Sequence, residues 1–302
     1  MRLTIQLCTY RRPQLLARVL EACFDQTLAP DAYEVVLVND GSPDETPQVV
    51  ERMRPLARCR FEVIHQANGG LAKARNAGIA RATGERIAFI DDDVLPVPAF
   101  AAEHLHSDER AGDVIVRGAV INTPSADRLP PPIWTPAHYS GNYFWTTNVS
   151  LRRSRLERAG GGFDEAFAEY GWEDIELGMR LRRLRTRAVF NKDALAFHVK
   201  PPARRTNVAG MLRQVRAQAR TAALLQRKHP HWRVALAIGD TLPQRAAGEA
   251  FRRSGLARRL EPLAAGGDDE RRLGLLQHAA ARLVATDAYY DELRRAKRAQ
   301  RN

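Results

Sequence analysis

Three consecutive aspartates, Asp91, Asp92 and Asp93, close the run Arg86-Ile87-Ala88-Phe89-Ile90. Carboxylates are hard oxygen ligands, so such a cluster can hold a divalent cation, which can in turn neutralise a diphosphate. Spacing alone suggests that Asp91 and Asp93 face one point, with Asp92 directed elsewhere. The apolar residues ahead of them read as a fully buried strand. That puts the acids at its carboxyl end, the edge where open α/β sheets bind their ligands. Other polar groups recur at comparable positions. Thr9-Tyr10 follow a first apolar run, Asp40 follows a second, and Glu173-Asp174 open a later helix.

The elements that must position these groups follow from the periodicity. Leu3–Leu7, Glu34–Val38, Phe61–Ile64 and Ile87–Ile90 are predicted strands. Between them, Leu16, Val19, Leu20 and Cys23 recur at helical spacing behind Pro13, and Asp44 to about Arg54 fits a second helix. A third follows Gly69-Gly70, with Leu71, Ala74 and Ala77 on its apolar side. Strand and helix alternate, which predicts an α/β fold with a mostly parallel sheet and helices on both faces. Residues 122–145, rich in proline and aromatics, read as a long loop over the sheet edge. Ser154-x-x-Glu157 predicts a capping box for a helix that runs into Gly160-Gly161-Gly162. Ala188–Phe190 and Ala194–Phe197 read as two short strands, and everything after about Asn207 as helix.

Charge divides the chain. Of the net +12, residues 1–202 contribute nothing, with 26 basic and 26 acidic side chains, whereas residues 203–302 hold 21 and 9. This predicts a self-contained domain over 1–202 and a basic helical extension over 203–302. No run approaches the roughly 18 apolar residues of a membrane span. The N-terminus lacks the long apolar region of a secretory signal. Cys8, Cys23 and Cys59 have neither metal-ligand nor paired spacing, which suits reduced thiols and a cytoplasmic location.

The segments CTYRRPQLL, VVLVNDGSPDET, GGLAKARNAGIARATGERIAFIDDDV, TTNVSLRRSRLERAGGGFDE and GWEDIELGMRL, in that order over residues 1 to about 200, resemble the inverting glycosyltransferases of family 2. The resemblance implies a GT-A fold, with a nucleotide-sugar half over about 1–100 and an acceptor half over about 101–202. It implies transfer of a sugar from a nucleoside-diphosphate donor, UDP foremost, to a carbohydrate or glycoconjugate hydroxyl. Thr9, Tyr10, Asp40, Arg75, Asp91 and Asp92 would surround the donor: Tyr10 as a surface for the base, Asp40 as acceptor for a ring N–H, Arg75 near an anion. Asp93, Asp91 and His198 would serve Mn²⁺ or Mg²⁺, stabilising the departing diphosphate. Inversion requires a base for the acceptor hydroxyl. The family's Glu-Asp motif favours Asp174, with Glu173 orienting it, although the helix dipole there should lower a carboxylate's pKa. Trp172, Gly171 and Asn148 match acceptor positions, and Lys200, Arg204 and Arg205 are candidates to neutralise phosphate. Two positions depart from the commonest pattern: Cys8-Thr9-Tyr10-Arg11 stands where Pro-Thr-Tyr-Asn is frequent, and Asn39 where an acid is common.

Two other classes fit less well. A sugar nucleotidyltransferase would need a Gly-rich phosphate loop after the first strand, where this chain has Thr9-Tyr10-Arg11-Arg12. A nucleic-acid-binding role would exploit the basic tail, yet no recognisable motif is present and aromatics there are sparse. Contact of the basic helices with anionic lipid, on the inner face of a membrane beside a lipid-linked acceptor, is a third use of that charge.

Overall fold

The computed structural model describes residues 1–200, 208–265 and 274–300. They form two compact units. One comprises Met1–Ala168 with the chain from Glu173 to Lys200, and the other Glu169–Trp172 with the described helices beyond residue 207.

The first unit begins with regular alternation: β1 (Leu3–Thr9), α1 (Pro13–Phe24), β2 (Tyr33–Asn39), α2 (Thr46–Met53), β3 (Arg60–His65), α3 (Leu71–Arg81) and β4 (Arg86–Ile90). It continues with β5 (Val94–Pro96), α4 (Phe100–Ala111), β6 (Ile115–Thr123), β7 (Asn148–Arg152), α5 (Arg153–Arg158), α6 (Glu173–Arg183) and β8 (Ala188–Val199). The sheet order is β3-β2-β1-β4-β7-β6-β8-β5. The first four strands are parallel, β7 runs antiparallel to both β4 and β6, and β8 is parallel to β6. Consequently β1, β2, β4, β6 and β8 all end at one edge, and β7 starts there, with Asn148 opposite Ile90.

Alternation along the strands builds a core on each face. Ala88 and Ile90 join Leu3, Ile5 and Leu7 against α1 and α4, while Ile87 and Phe89 join Val149, Leu151, Leu177 and Leu181 on the other side. The Phe89 and Phe163 rings meet edge-on at 5.5 Å. Full burial of each such side chain stabilises the fold by about 1.5–3 kcal/mol. Close backbone approach explains Gly118: a Cβ there would lie 2.1 Å from the Ala194 carbonyl oxygen, where the register of β6 on β8 shifts.

Three local expectations change. The two short strands near residues 188–197 are one strand, β8, because both halves pair with β6, up to Asn191 and again from Ala196, on either side of an irregular middle. The capping box at Ser154 does not form. The chain turns into α5 directly from β7, which leaves Arg152 at the cap and Ser154 inside the first turn. The antiparallel β7 makes the sheet mixed, and β5, α4 and β6 come from sequence with no clean period.

The second unit is helical: α7 (Val208–Lys228), α8 (Trp232–Ala237), α9 (Leu242–Ser254), α10 (Leu256–Ala265) and α11 (Leu275–Ala299). Ala264, Ala280, Ala281 and Val284 centre a small core with Met211 and Leu260 against it. Many arginines of this unit are paired. Arg220 bonds Glu169 and Glu292, Asp240 holds Arg245 and Lys297, and Glu249 holds Arg252, Arg253 and Arg294. No described helix is long and apolar enough to cross a membrane.

Candidate active site

The shared sheet edge of the first unit collects the polar strand ends. After β4 the chain turns at once, with the Val94 amide donating to the Asp91 carbonyl at 3.1 Å. In a turn, side chains no longer alternate, so the expectation that Asp91 and Asp93 face one point gives way. Asp91 turns toward α3 and β7, accepting from Arg75 at 3.2 Å and from the Thr147 hydroxyl at 2.8 Å. Asp92 and Asp93 turn together toward Arg12, which bonds Asp93 and lies 3.4 Å from Asp92. The Thr9 hydroxyl donates to Asp92 at 2.8 Å. Burial pushes the Asp92 carboxyl up to about 6, against the pull of Arg12 and Thr9. Burial acts the same way on Asp93, but His198 and Arg12 outweigh it and hold that carboxyl below its usual range.

His198, at the end of β8, brings Nε2 to within 3.3 Å of Asp93 Oδ1, an oxygen that is buried and otherwise without a partner. A carboxylate oxygen and an imidazole nitrogen at this separation suit two adjacent positions of one Mn²⁺-type cation. Among the described residues, no third His, Cys, Asp or Glu joins them. Asp91 is thus directed away from the pair, and the remaining positions of a bound cation would be left to phosphate and water. Arg12, about half exposed, occupies the anionic face of Asp93 with its own positive charge.

Arg75 on α3 is only 3% exposed. It donates to Glu173 Oε1 at 2.7 Å, to the Thr146 hydroxyl at 2.6 Å and to Asp91. The expected anion of Arg75 is therefore supplied by the chain itself: the guanidinium ties the start of α6 to the turn after β4. Burial disfavours its charge, and Glu173 and Asp91 more than offset that. Glu173 keeps its second oxygen buried without a partner. α6 carries Glu173, Asp174 and Glu176 in its first turn and Arg180, Arg182 and Arg183 in its last, complementing the helix dipole. The dipole does not decide the titration of Asp174. Burial first, then the neighbouring charge of Glu173, pushes its carboxyl up to about 7. Its Oδ1 accepts from the Ile175 amide at 2.7 Å.

Toward β2, Tyr10 is exposed and Arg11 stacks 5.1 Å from its ring centre. Asp40 is buried, and both its oxygens are used by the chain. It accepts from Gln66 at 2.7 Å and from the Gly69 and Gly70 amides at 2.9 and 3.0 Å. It thereby fixes the turn that starts α3. Gly70, at φ 86°, has no room for a side chain, since a Cβ would meet the Ala168 carbonyl at 2.4 Å.

Asn148 is tied to the chain through its side chain. Its amide donates to the Ala119 and Ala194 carbonyls, both at 2.9 Å, and its oxygen sits 3.0 Å from His104 Nε2. It is only 3% exposed, and both its amide hydrogens are spent on the chain. Replacing it with Ala removes the Asn148 donors from two carbonyls and the partner of His104 Nε2, whose Nδ1 keeps the Ser150 hydroxyl at 2.8 Å, at about 1–3 kcal/mol for each group left unsatisfied. Asn148→Ala should therefore lower the urea midpoint markedly. An unchanged midpoint with impaired acceptor binding would restore the acceptor role.

Trp172 and Gly171 belong to the second unit, where the Trp172 indole donates to the Gln218 carbonyl at 3.0 Å. Both residues have positive φ, 98° for Gly171 and 73° for Trp172. Lys200 donates its backbone amide to the Thr123 carbonyl at 2.8 Å, and Arg204 and Arg205 lie outside the described residues. Sequence reasoning passed over Arg12, Thr146 and Thr147. The available signal was a pair of hydroxyls immediately before β7 and a second arginine after Tyr10.

Residues 4–162 match the profile of Glycosyl transferase family 2. Validoxylamine A glucosyltransferase of Streptomyces hygroscopicus subsp. limoneus is 31% identical over 215 residues, covering 59% of this chain and 47% of that protein. Chondroitin synthase of Escherichia coli is 25% identical over 279 residues, 76% of this chain and 39% of the synthase. Among solved structures, the mannosyltransferase PcManGT from Pyrobaculum calidifontis, in complex with GDP-Man and Mn²⁺, superposes with a TM-score of 0.60 at 21% identity, over 100% of this chain and 88% of that one. Staphylococcus aureus TarS in complex with UDP gives 0.56 at 19%, over 100% and 91%. The fold is the GT-A type of α/β protein. The chain belongs to glycosyl transferase family 2, and it spans about half the length of the first curated relatives it matches.

Proposed function

We propose that this chain transfers a sugar from a nucleoside-diphosphate sugar, with UDP the first choice of nucleotide and GDP and dTDP the alternatives. The acceptor is a carbohydrate or glycoconjugate hydroxyl, and transfer proceeds with inversion and a divalent cation. The carrying observation is the chain of contacts from Asp91 through Arg75 to Glu173, which sets the Asp92–Asp93 turn and Asp174 at one sheet edge. Nucleotide-sugar and Mn²⁺ complexes of proteins with the same fold support the donor class.

In this reading Tyr10 offers its exposed ring to the base. Asp93 and His198 hold the cation, which when bound supplies Lewis-acid neutralisation of the leaving diphosphate. Asp174 takes the proton from the attacking hydroxyl. Its raised pKa is what a base needs near neutral pH, because proton affinity and the deprotonated fraction are then both substantial. Glu173, held by Arg75 at 2.7 Å, lies beside Asp174, and its neighbouring charge adds to burial in raising the proton affinity of Asp174.

A thermal-shift panel of UDP, GDP, dTDP and CMP, each with and without Mn²⁺, tests the donor class. A ligand that binds only the native state raises the melting temperature. One diphosphate should stabilise the protein in Mn²⁺ and lose most of that effect in chelator. A panel in which none does so contradicts the proposal.

A further inference from the structure

The second unit carries an outward apolar stripe inside an uninterrupted cationic segment. Residues 208–239 hold six basic side chains and no acidic one. The cations Arg227 and Lys228 end α7, and after the turn at His229-Pro230 the short helix α8 begins with Trp232 and Arg233. Within α8, Val234 is fully buried, and Ile238, just past its end, is 2% exposed, so these two anchor the helix. Trp232 and Leu236, four residues apart and so on one face, are instead 65% and 53% exposed. Leu242, the first residue of α9, is 78% exposed. The Arg233 guanidinium lies 5.4 Å from the Trp232 ring centre, and Arg227 and Lys228 are exposed.

We propose that this face of α8, with the end of α7 and the start of α9, docks reversibly on an anionic lipid surface. A soluble polyanion would reward the cations but not an exposed Trp and two Leu side chains. A bilayer interface rewards both: indole and leucine enter the acyl boundary while guanidinium and ammonium groups remain among headgroup phosphates. The helix is too short to cross a bilayer, and the mode is lateral adsorption. The excess of 21 basic over 9 acidic side chains in residues 203–302 supplies the long-range attraction. The proposal does not rest on the reading of the catalytic site.

The test is sedimentation of the full chain with phosphatidylcholine vesicles, with and without phosphatidylglycerol, at low and high salt. The wild type should bind only the anionic vesicles and be released by salt, since exposed charges are screened beyond a Debye length. Trp232→Ser with Leu236→Ser leaves the charge unchanged and should weaken vesicle binding at least about tenfold, given the apolar area removed. Binding to soluble polyphosphate should stay the same. Arg227→Gln with Arg233→Gln should weaken vesicle binding about fivefold per cation. Equal wild-type binding to neutral and anionic vesicles would overturn the proposal. So would a serine variant that binds vesicles like the wild type, or one that loses polyphosphate equally. Unchanged melting temperatures of the variants confirm that their folds are intact.

Discussion

Asp93→Ala should abolish the Mn²⁺-dependent part of nucleotide binding and reduce transfer to background. Asp93 combines a buried oxygen that lacks a hydrogen bond with a position 3.3 Å from the only imidazole that reaches it among the described residues. Its depressed pKa keeps it anionic throughout the neutral range, as a hard-cation ligand must be. His198→Ala should weaken the cation without removing it, because one protein ligand and the phosphates remain. Arg12→Ala should act in the opposite direction on the cation itself, since it removes the positive charge that otherwise rests on Asp93. Calorimetric Mn²⁺ titration of the four proteins reads these differences directly. Full nucleotide affinity of Asp93→Ala in Mn²⁺ would remove the metal from that carboxylate.

Asp174→Asn should lower turnover by at least about 10²-fold, the usual contribution of a general base, while nucleotide binding persists. The same raised pKa has a consequence for stability. A carboxyl whose folded pKa lies above its unfolded value favours the folded state below the unfolded pKa, near 4, and loses that contribution as pH rises through about 7. Removing the titration therefore stabilises the protein at high pH: Asp174→Asn should melt above the wild type near pH 8 and with it near pH 4. In the wild type, kcat/KM should fall as pH drops below about 7, where Asp174 gains its proton. That acid limb should vanish from whatever residual activity the Asn variant keeps. Near-normal transfer by Asp174→Asn would move the base to Glu173 or elsewhere. Glu173 is the poorer candidate, since Arg75 already holds one of its oxygens at 2.7 Å.

The parallel half of the sheet was legible because each of its strands is a short apolar run between helical periods. Leu3–Leu7, Glu34–Val38 and Ile87–Ile90 all lie inside the observed strands. The strand ends then place Thr9, Asp40 and Asp91–Asp93 along one edge without further information. What was not legible is how the side chains there are shared. Arg75 looked like a cation waiting for phosphate because nothing local to α3 shows that Glu173, 98 positions on, closes over it. Asn148 looked like a ligand because its position beside the site is correct. Its saturation by Ala119, Ala194 and His104 depends on β6, β8 and α4, which come from far along the chain. Alternation led to the pairing of Asp91 with Asp93, but β4 ends at Ile90 and the chain turns through Asp92-Asp93 into β5, so alternation never reaches the pair. The depression of the Asp174 pKa expected from the helix dipole failed for a related reason: local electrostatics is readable from sequence, and burial is not.

The measurement that tests the account most directly is the anomeric configuration of the product, followed by NMR from a donor of known configuration. A single displacement, with Asp174 deprotonating the acceptor as it attacks the face opposite the diphosphate, predicts the configuration opposite to the donor's in every product molecule. Retention of the donor's configuration would require a covalent or front-side route, and would contradict the assignment of Asp174 as the base.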